Sequence, residues 1–119
     1  MAFEHSLGLR VVRRHKDGVT VECPLPKRLF NQTGVIHGGV IAAIADEAVW
    51  FAMTHHYGKR PSTTTELKVN YLRGIAGKKL TARTYLVHAG RTLCVGQVDM
   101  FDEKGRLSAV ATVTYMLLG

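Results

Sequence analysis

The chain has 119 residues, 46% apolar and 21% charged, enough for one domain over residues 1–119 with a real core and no separate cofactor module. That balance excludes intrinsic disorder. Its formal charge of +7 points to an anionic partner, but the basic residues stand singly or in pairs, with little aromatic interleaving, which argues against a nucleic-acid surface.

In chain order, "LRVVRRHKDGVTVECPL" reads as two short strands around Asp17-Gly18, a dipeptide that favours a tight hairpin turn, and Pro24 and Pro26 end the sheet pattern. After the loop "KRLFNQTGVIHGG", residues 40–53 are apolar at every position except Asp46 and Glu47, and Gly58 supplies a left-handed stop. A helix is predicted over residues 39–57. Four β segments follow, at residues 63–71, 80–88, 92–101 and 107–117. In the first of these Leu67, Val69 and Tyr71 alternate with Glu66, Lys68 and Asn70, giving one buried and one wet face. A helix apolar on all sides must be covered all round, and a curved antiparallel sheet wrapped about it does so. The expected class is α+β, the arrangement known as the hotdog fold.

No apolar run reaches the roughly 18 to 20 residues of a membrane span, and residues 1–10 lack the charged start and apolar middle of a leader. The expectation is a cytoplasmic protein with no membrane contact. Cys23 and Cys94 have no CxxC spacing and read as two buried reduced thiols; no metal site is expected.

The two carboxylates are the exception within the helix. Adjacent helical residues point about 100° apart, so Asp46 and Glu47 cannot both face one site. Ahead of them, Gly38 and Gly39 let a ligand approach the backbone at a helix start, whose free amides favour negative charge. Asp46 lies eight residues past Gly38, about 12 Å along the axis. Those groups of one chain cannot both reach one small reacting carbon. If both act in one reaction, Asp46 comes from one subunit and the Gly38 amide from another.

Asn31, His37-Gly38-Gly39 and Asp46, in the pattern N-x5-HGG-x6-D, with the "ELKVNYLR" strand and the "GRT" turn at residues 90–92, resemble the hotdog-fold acyl-CoA thioesterases. Within the hydroxybenzoyl-CoA thioesterase superfamily the likeness is to the phenylacetic-acid-degradation branch, and it runs over residues 9–117. The resemblance implies hydrolysis of an acyl- or aryl-CoA thioester. The Gly38 amide would be the oxyanion donor and Asp46 of the partner subunit the base or nucleophile. Asn31 and His37 would hold the carbonyl and shape the loop, and Thr64 would help to orient water. It also implies a homodimer, two of which form a homotetramer. The chemistry needs an oxyanion donor and a base or nucleophile, and no cofactor.

The positive charge then suits the phosphates of coenzyme A, with Arg91 the first choice and Arg73, Lys59 and Arg60 after it. Each is otherwise a solvated surface charge. His55 and His56 read as cations suited to the helix C-terminus, and Trp50, Phe51 and Met53 as core, some of them lining an acyl pocket. Two other readings stand beside this one. A hotdog hydratase or dehydratase would rely on a histidine base, making His37 rather than Asp46 indispensable. A non-catalytic acyl-CoA-binding module would need neither. The fold alone does not choose among these.

Overall fold

Two antiparallel strands, β1 (Arg10–His15) and β2 (Gly18–Pro24), open the described part of the chain, residues 6–119 of a computed structural model. The leader expectation rests partly on residues 1–5, which lie outside the described residues. The hairpin forms where expected, but for a different reason. Its two turn residues are Lys16 and Asp17, while Gly18 already pairs with His15 and is not among the glycines of positive φ. Gly18 is needed for space, because a Cβ there would overlap the Thr84 carbonyl on the neighbouring strand.

A loop containing a short 3-10 turn (Lys27–Leu29) leads to helix α1 (Gly38–Tyr57), one residue longer at its start than expected. Gly58 ends it at φ +76°, its amide donating to the Thr54 carbonyl at 2.9 Å. Strands β3 (Ser62–Tyr71), β4 (Lys79–Ala89), β5 (Leu93–Phe101) and β6 (Leu107–Leu117) complete one antiparallel sheet of order β1-β2-β4-β5-β6-β3.

The sheet curves around α1 but covers only one side of it. Ile41, Ile44, Ala45, Ala48, Val49, Ala52 and Met53 are buried against the strands, whereas Val40, Ala43, Trp50 and Phe51 are only half-buried. Cover all round is therefore not met within one chain. Of the three residues expected in the core only Met53 is inside; Trp50 and Phe51 pack edge to face at 5.3 Å beside it. Gly96 of β5 lets the helix sit close, since a Cβ there would lie 2.8 and 2.9 Å from the two methyl carbons of Val49.

Strand β3 is an edge, paired on one side only, with β6. Its helix-facing side is not buried as the alternation suggests: Leu67 is 38% and Tyr71 52% exposed. The register shifts between Thr64 and Glu66, making Thr65 the extra residue of a bulge. Cys23 and Cys94 are both buried and reduced, as expected.

Candidate active site

The loop before α1 is set by Asn31. Its Oδ1 accepts hydrogen bonds from the Thr33 amide (2.9 Å), the Thr33 hydroxyl (2.7 Å) and the Val35 amide (3.3 Å). That oxygen shapes the loop, leaving the Asn31 amide nitrogen for other work. The His37 amide donates to the Leu29 carbonyl at 3.0 Å, fixing where the helix begins. His37 is the N-cap, its Nδ1 accepting from the Gly39 amide at 2.9 Å. An accepting Nδ1 puts the ring proton of the neutral imidazole on Nε2.

Gly38 is the first helical residue, and first-turn amides have no intrahelical partner. His37 takes up the Gly39 amide, so the amide left at this end is that of Gly38. Tyr71 at the end of β3 donates its hydroxyl to the Gly38 carbonyl at 2.7 Å, holding the first turn against the strand. Sequence reasoning gave Tyr71 no part here.

Asp46, two turns further on, is half-buried. Thr64 of β3 donates to its Oδ1 at 2.9 Å, and Tyr115 of β6 donates to the same oxygen at 2.7 Å. Of the "STTT" stretch, Thr64 is the hydroxyl brought to Asp46; Thr63 and Thr65 are exposed. The bulge at Thr65 makes this possible. In an unbroken strand Thr64 and Leu67, an odd number of residues apart, would face opposite sides. With the extra residue both face the helix. Tyr115 was missed in the sequence, although the strict alternation of β6 places it inward, where a phenol needs a polar partner. Burial first, then its hydrogen bond to Asp46, pushes its phenol well above the ordinary tyrosine range. Glu47 is half-buried on a neighbouring aspect of the helix.

The basic candidates separate into two places. Arg60 and Arg91 line one groove of about 550 Å³ at the C-terminal end of α1, with Tyr57, Thr92 and Leu117. Tyr57 donates to the Gly90 carbonyl at 2.6 Å, and the Arg60 guanidinium lies 5.6 Å from the Tyr57 ring centre. Lys59 is exposed beside it. Arg73 follows the other end of β3, near the helix start, so it does not join them within one chain. Among the described residues no helix is long and apolar enough to cross a membrane.

Comparison with known proteins fits these features. A family model described as "Thioesterase superfamily" matches residues 33–109, a span containing His37, Gly38, Asp46 and Thr64. The medium/long-chain acyl-CoA thioesterase YigI of Escherichia coli K12 is 32% identical over 98% of this chain and 86% of its own length. Among solved structures, thioesterase HI1161 from Haemophilus influenzae superposes with a TM-score of 0.86 at 26% identity, covering 95% of this chain and 80% of that one. A thioesterase family protein from Silicibacter pomeroyi gives 0.88 at 28% identity, covering 99% and 90%. With one helix held in a six-stranded antiparallel sheet, the chain belongs to the thioesterase superfamily, as a thioester hydrolase of the hotdog fold.

Proposed function

We propose that the protein hydrolyses acyl-CoA thioesters as a homodimer, each active site combining Asp46 of one subunit with the Gly38 amide of the other. The observation that carries this reading is that one strand touches both groups. β3 meets Asp46 through Thr64 and Gly38 through Tyr71, although the two lie about 12 Å apart along the helix.

That strand is an edge with unpaired backbone groups and exposed Leu67 and Tyr71, a surface that calls for another strand. Antiparallel pairing of β3 with its copy, about a two-fold axis near Leu67 and Lys68, exchanges the Thr64 end for the Tyr71 end. Asp46 of one subunit then faces Gly38 of the other. Such a pairing also gives the helices a second neighbour, and two dimers together would cover what remains of their apolar flank.

The chemistry runs as follows. The thioester carbonyl oxygen receives the Gly38 N–H at the positive end of α1, where negative charge develops in the transition state. Asp46 either takes a proton from the attacking water or attacks the carbonyl carbon itself. The C–S bond then breaks and coenzyme A leaves as the thiolate, which takes up a proton. In the first route this is the proton held by Asp46; in the second it comes from the water that hydrolyses the acyl–Asp46 anhydride to free acid and restores the carboxylate. Asn31 and His37 keep the loop and helix start in place.

The groove of Arg60 and Arg91 lies by Tyr57, eleven residues and about 16 Å along the helix from Asp46, a span suited to the pantetheine arm with its phosphates at the arginines. The two-fold axis carries Arg73 of the second subunit to the same end of β3, so all three arginines serve one nucleotide. The named activity of the E. coli relative makes medium- and long-chain acyl-CoAs the first substrates to try. Free-thiol release from short, medium, long and aromatic acyl-CoAs, on the wild type and on Asp46→Asn, tests the reading. Hydrolysis lost in the variant supports it. Full activity in Asp46→Asn, or no release from any substrate, would move the hydratase and binding-module readings ahead.

A further inference from the structure

Asp46 has two carboxylate oxygens, and the hydrogen bonds to it converge on one. Thr64 and Tyr115 both donate to Oδ1. The Tyr115 hydroxyl also lies 3.0 Å from the Asp46 backbone carbonyl, so its single proton is shared between the side chain and the main chain of one residue. A group that bridges a residue to its own backbone fixes the side-chain rotamer. Tyr115 is itself held rigidly: it is 5% exposed, in register between Thr64 of β3 and Cys94 of β5.

We propose that Tyr115 is a positioning residue for Asp46, clamping Oδ1 together with Thr64 so that Oδ2 is the oxygen presented to water or the thioester. This rests on the thioesterase reading above. The clamp divides the carboxylate: one oxygen is occupied by two hydroxyls from adjacent strands, and the other is left with its lone pairs. Water-orienting work then falls to Oδ2. Thr64 acts through Asp46, its hydroxyl already committed. The phenol suits the task because burial keeps it protonated and therefore a permanent donor.

Tyr115→Phe keeps the ring that fills the core and removes only the hydroxyl. Its expected signature is a fall in kcat of about 10-fold to 100-fold, the effect of losing a hydrogen bond to a charged group, with KM nearly unchanged. A merely structural tyrosine would lower stability and leave the kcat of the folded protein unchanged. Thr64→Val, which removes the other hydroxyl on Oδ1, should show the same signature, and carries the test if Tyr115→Phe does not fold. Asp46→Asn inactive with an unchanged kcat in the folded hydroxyl variants would overturn the clamp and leave the thioesterase reading standing. Asp46→Asn fully active would remove that reading and the clamp with it.

Discussion

Replacing Gly38 by proline deletes one N–H and little else, which makes it a direct probe of the proposed oxyanion site. Position N1 is where a helix tolerates proline, since its amide has no intrahelical partner. The preceding residue must be extended, and His37 is, at φ −57° and ψ 134°. A Cβ at Gly38 would lie 3.4 Å from the Tyr71 ring, at the edge of ordinary contact. The fold should therefore accept Gly38→Pro with a stability change of no more than about 1 kcal/mol. Hydrolysis should not accept it, because losing an oxyanion donor costs about 10²–10³ in kcat. Gly38→Ala, which keeps the N–H and adds the same Cβ, is the control that isolates the cost of the Cβ, and Gly38→Pro should lose about 10²–10³ in kcat beyond it. Thermal unfolding and thiol-release kinetics on the three proteins give both numbers. A folded Gly38→Pro protein with wild-type kcat would refute the assignment.

Four further outcomes follow from the packing. Gly96→Ala pushes a methyl against Val49 and should cost about 1–3 kcal/mol, partly recovered by Val49→Ala in the double variant; strictly additive losses in denaturant titrations would contradict the close contact. His37→Ala should cost about 1 kcal/mol through loss of the cap, with His37→Asn restoring most of it, and activity in His37→Asn would exclude a histidine base. Asp102 accepts hydrogen bonds from the Lys104 and Arg106 amides and from the Arg106 side chain, which hold its carboxyl below the usual range. Its contribution to stability is thus present above the ordinary aspartate value and lost as pH falls through the depressed one; acid unfolding of Asp102→Asn should lack that component. Burial pushes the Cys23 thiol up to about 11, so a thiol reagent at pH 8 should label it only after unfolding.

The elements were legible because each carries its own punctuation. The helix ends at Gly58 and the later strands are separated by turn residues, so their limits fall within a residue or two of the expected ones. The spacing from His37 to Asp46 was equally readable, being local. What the sequence hid depends on register between distant strands. Tyr71 and Tyr115 reach Gly38 and Asp46 only because β3 and β6 align as they do. The Thr65 bulge, which turns Thr64 toward Asp46, leaves no mark within three consecutive threonines. Gly18 looked like a turn glycine because its true constraint, the Thr84 backbone, lies on β4. Full cover for the helix was expected from its apolar run, but a single sheet reaches only one side, and the rest of that pattern would be covered by the proposed dimer and the pairing of two such dimers.

The proposed sharing of the active site between subunits is tested most directly by mixing Gly38→Pro and Asp46→Asn proteins, each expected to be inactive alone. Gly38→Pro and Asp46→Asn chains, unfolded together and refolded, form heterodimers in which one site carries both defects and the other carries none, with Asp46 from the first chain and the Gly38 amide from the second. The account predicts that thiol release reappears in the mixture and scales with the heterodimer fraction. Heterodimers that form and remain inactive would contradict it.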